Sequence, residues 1–159
     1  MHSEKCLNFL LGKEFTASGY DYDQLHKWSN NHWENYHDFI QWLFPLDEPS
    51  MHNPNGPVLT QDDFEKIKSN QELTDAIVKN YNRFLNYAGI QRNDTGLDYE
   101  NYQKDFWETP NHNWLRITRV LKCLNLCGLH DYAQELWNFL EKSPVTGATK
   151  VYWELAAKS

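Results

Sequence analysis

The sequence has few cysteines and no long hydrophobic run. Its three cysteines, Cys6, Cys123 and Cys127, are odd in number, so they do not form the paired set of a disulfide-stabilised scaffold. Cys123 and Cys127 share one helix face, where a zinc site would need two further ligands that no neighbouring CxxC or HxxxH motif supplies. No apolar run approaches the roughly 18 residues of a membrane-spanning helix. We therefore expect buried cysteines, no metal, no cofactor and no transmembrane segment.

Basic residues are also in deficit. The chain has 15 Lys and Arg against 22 Asp and Glu, which gives a net charge of −7 at pH 7. A nucleic-acid-binding protein presents a basic face and an anionic membrane attracts basic segments, so this acidic balance argues against both kinds of partner. The N-terminal stretch MHSEKCLNFLLGKEF lacks a small-residue cleavage site. We therefore expect no secretory signal and a cytoplasmic location.

Almost no β-branched residues alternate with period two, which argues against β-strands, and helical periodicity recurs instead. The chain has 159 residues, of which 15% are aromatic, and its mean hydropathy is −0.78. That length and composition suit one domain with a buried aromatic core and a polar exterior. We predict an all-α fold, a single globular domain over residues 1–159 with about seven to nine helices.

Apolar spacing and capping residues together predict where the helices lie. Asp21 and Thr60 are predicted N-caps, and Asp63 completes a capping box with Thr60. Asn111 or Asn113 is predicted to cap a helix that Gly128 closes. The predicted helices cover residues 4–12, 21–28, 31–44, the stretch after 60, 71–88, 99–107, the stretch from 111 or 113 to 127, 131–142 and, as a C-terminal helix within 143–159, residues 148–157. Residues 91–98 are predicted to form a turn-rich loop.

A proline-rich loop interrupts this helical pattern. Trp33, Tyr36, Ile40 and Leu43 form one helical stripe, which predicts a single helix over 31–44. Pro45 ends that helix, because the residue before a proline is pushed out of the α region. Residues 45–59 hold four of the six prolines. We predict that they form a loop within one domain rather than a linker between two.

Two segments resemble a known family. They are HDFIQWLFPLDEPSMHNPNGPVLTQDDF (37–64) and HNWLRITRVLKCLNLCGLHDYAQELWNFL (112–140). Both are similar to the conserved N-terminal domain of the opioid growth factor receptor family, and so is the intervening LTDAIVKNYNRFLNYAGI (73–90). The resemblance is most specific in two places. One is IQWLFP, followed by an Asn-containing loop and then LT before an acidic helix. The other is HNxLRITRxLKxL. The resemblance covers residues 7–142.

The resemblance implies a non-enzymatic binding domain that takes a short peptide or protein segment. Vertebrate members are described as receptors for an opioid pentapeptide, associated with membranes around the nucleus and with growth inhibition. Those members carry long C-terminal extensions, whereas we expect this chain to be a single-domain relative. The resemblance supplies no catalytic residues, and no partnered nucleophile is visible in the sequence, so we expect no enzyme.

The two recognisable segments also concentrate His, Asn, Gln and Arg near helix starts. A helix N-terminus with a guanidinium suits a carboxylate or phosphate, and tryptophans can stack on an aromatic group. We expect His112 and Arg116 to lie beside His37 and Gln41, with the Pro-rich loop over them. The candidate ligand-binding residues are His37, Gln41, Trp42, Asn53, His112, Asn113, Trp114 and Arg116.

A structural interpretation competes with this site. The same polar side chains can tie loop 45–59 to the core, since a Pro-rich loop cannot satisfy its own backbone groups. Arg116 can pair with a buried carboxylate, and Trp42 and Trp114 can be core residues. Three functions remain open at this stage: peptide or protein binding in an aromatic groove, small-molecule or anion binding or a small enzyme using a His/Gln/Arg pocket, and an interaction protein that presents an acidic surface.

Overall fold

The computed structural model describes residues 2–159 and contains two compact units, Met1–Arg83 (unit 1) and Phe84–Ser159 (unit 2). The described residues form ten helices and one two-stranded sheet. The prediction of a mostly helical chain is confirmed. The all-α class and the count of seven to nine helices are corrected, because residues 90–99 form a β-hairpin and the predicted helix 31–44 is two helices. That residues 1–159 act as a single domain stays a prediction.

Unit 1 consists of short helices followed by the first part of a long one. Its helices are α1 (Ser3–Leu10), α2 (Tyr22–Lys27), α3 (Asn30–Asn35), α4 (Ile40–Leu43), α5 (Gln61–Ser69) and α6 (Gln71–Tyr87) as far as Arg83. Helix α1 packs against α4 and α5. Aromatic and branched side chains fill the core of the unit, chiefly Phe9, Leu25, Trp33, Phe39, Trp42, Leu43, Phe64 and Ile77.

Two capping boxes fix helix starts in unit 1, and the one at Thr60 and Asp63 was predicted. The Asp21 side chain accepts a hydrogen bond from the Gln24 backbone N–H at 2.7 Å, and the Gln24 side chain accepts one from the Asp21 N–H. Thr60 Oγ1 accepts from the Asp63 N–H at 3.2 Å, and Asp63 Oδ2 accepts from the Thr60 N–H at 2.8 Å. Each box satisfies two backbone donors that a helix start leaves unpaired. Both predicted N-caps are confirmed.

The predicted helix 31–44 breaks at Tyr36, which has an extended backbone with φ −104° and ψ 138°. Asparagine chemistry accounts for the break. The Asn35 side chain donates to the Asn31 carbonyl at 2.9 Å, a local bond that competes with the helical ladder. The prediction for Pro45 is confirmed, since Phe44 before it leaves the α region with φ −130° and ψ 69°.

The Pro-rich loop, residues 45–59, contains no helix, as predicted. Its two ends meet where the Leu59 N–H donates to the Leu46 carbonyl at 2.9 Å, beside a parallel bridge between Leu46 and Val58. Leu46 and Leu59 are both buried. The loop is therefore anchored at its base by apolar packing and a backbone hydrogen bond.

Unit 2 consists of the end of α6, a hairpin and four helices. These elements are β1 (Ile90–Asn93), β2 (Gly96–Tyr99), α7 (Lys104–Glu108), α8 (His112–Leu126), α9 (His130–Glu141) and α10 (Ala148–Ala157). Helices α8, α9 and α10 pack against one another, and β2 packs on α9. Of the two candidate caps for α8, Asn111 is the N-cap, since its side chain accepts from the Asn113 N–H. Gly128, at φ +76°, follows the C-cap as predicted.

The hairpin replaces the loop predicted over 91–98. Its antiparallel register pairs Ile90 with Tyr99 and Asn93 with Gly96, which leaves a two-residue turn. The Asn93 side chain accepts from the Thr95 N–H at 3.0 Å, and Gly96 adopts φ +126°. The residues of the turn are typical of a hairpin. The two strands are only four residues long and their side chains do not alternate between buried and exposed, so the sequence did not indicate them as strands.

Candidate functional site

Three of the predicted site residues come together in unit 1 and join the Pro-rich loop to the start of α4. Gln41 is 4% exposed, and its Nε2 donates to the His37 carbonyl at 3.2 Å. Asn53, in the loop, donates through Nδ2 to Gln41 Oε1 at 3.2 Å and to the Asp38 carbonyl at 3.4 Å. Gly56 also lies against this junction, since a Cβ added to it would come within 3.2 Å of Gln41 Cβ. The arrangement supports the structural interpretation for Gln41 and Asn53 and leaves the His37 side chain exposed.

Trp42 lies in the core of unit 1. Its side chain is 1% exposed, and its ring contacts the Phe9 ring edge-on at 6.0 Å between centroids. The Cys6 Sγ contacts the Trp42 carbonyl oxygen at 3.6 Å. A ring enclosed in this way stabilises the unit by burial, and a ligand could reach it only after rearrangement of the core.

The other predicted site residues lie on the first turns of α8 in unit 2. Asn113 and Arg116 are buried, whereas His112 and Trp114 are half-buried. Tyr87 OH donates to Asn113 Oδ1 at 2.8 Å, and Arg116 Nη1 donates to Tyr87 OH at 3.4 Å. These hydrogen bonds hold α8 to the end of α6 within unit 2. The meeting of His112 and Arg116 with His37 and Gln41 stays a prediction.

Sequence reasoning missed an exposed aromatic cluster in unit 1. We call Tyr20, Trp28, His32 and Tyr36 the aromatic face. The Trp28 ring lies 4.8 Å from that of Tyr20, 5.3 Å from that of His32 and 5.1 Å from that of Tyr36. His32 is exposed, Tyr36 is 43% exposed, and the other two are half-buried. The four-residue spacing of Trp, His and Tyr in WSNNHWENY (28–36) was the available signal, although the chain there is not one continuous helix.

Asp38 lies beside the aromatic face. Its Oδ2 accepts hydrogen bonds from Ser18 Oγ at 2.7 Å and from Tyr20 OH at 3.3 Å. Its Oδ1 is buried and has no hydrogen-bond donor among residues 2–159. Burial of the Tyr20 phenol raises its pKa, and the Asp38 carboxylate raises it further. The carboxylate is thus held in a fixed orientation with one oxygen unmatched.

A second polar network in unit 1 centres on His26. Its Nε2 lies 2.6 Å from Asn80 Oδ1, and Asn80 Nδ2 donates to the Leu43 carbonyl at 2.7 Å. Because the Asn80 amide nitrogen is occupied, its oxygen accepts and His26 Nε2 carries the proton. Burial lowers the pKa of His26 to about 4, and the charges of Lys79 and Arg83 act in the same direction. The imidazole is therefore neutral at pH 7 and has a structural role.

Unit 2 contains a cavity between β2 and α9 that includes none of the predicted site residues. Its volume is about 210 Å³, below the roughly 300–1,000 Å³ of ordinary small-molecule sites. The Tyr99 hydroxyl is buried near it without a partner in the described chain, and burial raises the pKa of Tyr99 to about 12. The cavity is lined by Thr95, Gly96, Leu97, Asp98, Tyr99, Glu135, Asn138, Phe139 and Lys142.

None of the helices within 2–159 is both long enough and apolar enough to cross a membrane. Over the same part of the chain, no three or more His, Cys, Asp or Glu side chains are grouped to hold a metal ion. The expectation of no cofactor stays a prediction.

The fold and these surfaces define a mostly helical protein with an aromatic-rich exposed face in its first unit. The chain belongs to the opioid growth factor receptor family, because the family's conserved region matches residues 3–151. That match extends beyond the predicted 7–142 at both ends.

Similar proteins carry the same family name. The human opioid growth factor receptor is 39% identical over 127 residues, which covers 74% of this chain and 18% of that relative. The mouse protein of the same name is 38% identical over 125 residues, covering 74% of this chain and 20% of that relative. The Xenopus tropicalis opioid growth factor receptor-like protein 1 is 32% identical over 149 residues, covering 87% of this chain and 29% of that relative. The chain therefore spans only about a fifth to a third of these relatives' lengths. No solved structure matches it significantly.

Proposed function

We propose that the chain is a non-enzymatic binding domain that takes a short peptide or a segment of a partner protein. The observation that carries the proposal is its membership of a family whose relatives are named as receptors. The aromatic face supports it, because half-exposed Trp and Tyr side chains supply large contact areas with few rotatable bonds.

The binding surface in this proposal is the aromatic face together with His37 and Asn53. Tyr36, His37 and Asp38 are consecutive, and the Asp38 backbone carbonyl accepts a hydrogen bond from Asn53 Nδ2. An extended segment lying here would meet rings at one end and polar side chains at the other. Such a mixture of aromatic anchors and hydrogen-bonding groups is typical of peptide-binding surfaces.

The alternative of a His/Gln/Arg pocket for an anion or a reaction has less support. Gln41 and Arg116 both make hydrogen bonds within their own units, which gives each a structural task. A general acid or base needs a substrate-facing group within hydrogen-bond reach of the reacting atom. His37 is exposed and could face a substrate. In the proposal it serves instead as a hydrogen-bonding contact at the edge of the aromatic face.

Selection from a phage-displayed library of short peptides tests the proposal, followed by calorimetric titration of the purified chain with selected peptides and with an opioid pentapeptide. We expect at least one peptide class to bind with a roughly micromolar Kd. Tyr36→Ala should weaken that binding at least several-fold, because it removes an aromatic anchor. Tyr102→Ala is the matched control, since Tyr102 has the same 43% exposure but lies in unit 2.

Three results would contradict the proposal. Selection could enrich no peptide, with no heat of binding from the opioid pentapeptide. Selected peptides could bind equally well to the Tyr36→Ala variant and to the parent chain. Tyr102→Ala could also weaken binding as much as Tyr36→Ala, which would place the peptide elsewhere.

A further inference from the structure

We infer that Asp38 and the aromatic face form a subsite for a cationic side chain, an arginine or lysine of the bound segment. The inference rests on the proposed function and specifies the chemistry of its ligand. It joins three features of unit 1: an unmatched carboxylate oxygen, a tryptophan ring with no cation of residues 2–159 over it, and a concentrated negative charge.

The carboxylate comes first. Asp38 receives two hydroxyl donors, from Ser18 and Tyr20, and both reach the same oxygen. Its other oxygen is buried, and no donor or cationic side chain of residues 2–159 pairs with it. A buried carboxylate oxygen without a donor is costly, so an incoming N–H donor with a positive charge satisfies it better than any neutral group. The two hydroxyls keep the carboxylate oriented before a ligand arrives.

The rings come second. Cations bind over aromatic faces at up to about 6 Å from the ring centre, and Trp binds them best. Unit 1 already uses this contact internally, with the Arg83 guanidinium 4.4 Å from the Trp33 centroid and Lys79 Nζ 5.4 Å from that of Tyr22. Within the described chain, no Lys or Arg lies over Trp28. Tyr36 is 43% exposed and its ring lies 5.1 Å from that of Trp28, so the cluster meets solvent on the Tyr36 side, where a cationic group would approach.

The charge distribution comes third. Unit 1 contains 13 Asp and Glu against 7 Lys and Arg, which leaves a net charge of −6 there out of −7 for the whole chain. A surface of one sign attracts oppositely charged segments and disfavours those of like charge. The occupant that complements both the local carboxylate and the whole unit is therefore cationic.

An NMR titration with N-acetyl-L-argininamide tests the subsite. The control ligand is N-acetyl-L-citrullinamide, which has nearly the same shape but no charge. We expect the arginine compound to shift the Trp28 indole N–H resonance saturably and to bind at least about tenfold more tightly than the citrulline compound. Equal binding of the two compounds, or no shift at Trp28, would overturn the inference.

Two variants locate the effect. Asp38→Asn keeps an oxygen to accept from Ser18 and Tyr20 but removes the charge, so arginine binding should fall about tenfold, to the citrulline level. Asp94→Asn removes the same charge from the hairpin turn of unit 2 and should leave binding unchanged. If Asp38→Asn folds poorly, Tyr36→Leu provides the same test through the exposed ring, with an expected loss of a few-fold. Unchanged arginine binding in the folded variants would refute the subsite.

The outcomes also separate this inference from the proposed function. A selected peptide could bind tightly and keep its affinity when each Arg is replaced by citrulline and each Lys by norleucine. The binding function would then stand and the cationic subsite would be wrong. Conversely, saturable binding of argininamide at Trp28 with no peptide selected would leave the subsite standing and the peptide-binding function contradicted.

Discussion

Arg83 fixes the backbone from which the aromatic face projects. Its guanidinium donates to the carbonyl oxygens of His26 at 3.3 Å and Trp28 at 2.7 Å and to the Asn30 side chain at 2.8 Å. It also lies over the buried Trp33 ring. One planar group with several fixed donors can make all these contacts, which a lysine could not. The turn between α2 and α3 is therefore held by side-chain hydrogen bonds as well as by helix caps.

Trp42 is a core residue of unit 1, and removing its side chain should destabilise the unit strongly. We expect Trp42→Ala to lower the free energy of unfolding by ~3–5 kcal/mol, because it leaves a cavity in place of a fully buried aromatic ring. Denaturant titration measures this change. Met51→Ala is the control, since Met51 is 96% exposed and its truncation should change stability by less than ~0.5 kcal/mol. A loss below ~1 kcal/mol for Trp42→Ala would show that the ring is not a core element.

His26 should make the stability of the fold depend on pH. Burial lowers its pKa from 6.5 to about 4, so between these values the unfolded chain binds a proton that the folded chain does not. The stabilising contribution is complete above pH 6.5 and is lost as the pH falls towards 4. When the pH falls from 7.5 to 5, we expect the free energy of unfolding of the parent chain to drop by ~1–2 kcal/mol more than that of the His26→Gln variant. This difference is discounted because solvent reaches part of the His26 ring. Parallel losses in the two proteins would exclude His26 as the cause.

A glycine with positive φ connects α6 to the hairpin. Gly89 follows α6 at φ +76°, and a Cβ there would fall on the carbonyl oxygen of Asn101. Gly12 has the same φ but no atom within 4 Å of the corresponding position. We expect Gly12→Ala to cost ~1–2 kcal/mol from backbone strain alone, and Gly89→Ala to cost ~3 kcal/mol or more. Thermal and denaturant unfolding of the two variants measures the difference, and equal costs would contradict the close approach.

The sequence predicted helices best where a cap and an apolar stripe agreed. The starts of α2, α5 and α8 follow from Asp21, Thr60 and Asn111 because a side-chain oxygen there meets an unpaired backbone N–H. The break at Tyr36 was not predicted, since an apolar stripe carries no information on a competing Asn side-chain bond. The hairpin was missed because its short strands bury only one end and show no alternation.

The site was predictable in part. The sequence pointed to His37, Gln41 and Asn53, which the fold brings together, because polar side chains near a Pro-rich loop must satisfy its backbone. Asp38 was not singled out. Its importance depends on Ser18 and Tyr20, which approach it from 20 and 18 residues away in the chain. Contacts between distant segments of this kind leave no local pattern in a sequence.

The molecule as a whole should be stable without metal or disulfides. The three cysteines are buried and none forms a disulfide among the described residues. We expect the melting temperature to change by less than a few degrees in EDTA and in a reducing agent, since neither removes a crosslink or a structural ion. Differential scanning calorimetry with and without each reagent checks this expectation. A drop of ten degrees or more would reveal a structural metal or disulfide.

In the proposed function, the difference in net charge between the two units favours unit 1 as the unit that binds a cationic segment. Unit 1 carries nearly all of the net negative charge together with the aromatic face, whereas unit 2 has 9 Asp and Glu against 8 Lys and Arg. Electrostatic attraction accelerates the encounter of oppositely charged partners and weakens with added salt. Binding of a cationic segment to unit 1 should therefore have a salt-dependent association rate.

An amide chemical-shift map of the whole chain, recorded with the tightest peptide from display selection, tests the proposed binding surface most directly. We expect the largest changes in residues 20–38 and at Asn53 of unit 1, and small changes in the hairpin and α9. Largest changes around the unit 2 cavity, at residues 95–99 and 135–142, would contradict binding at the aromatic face.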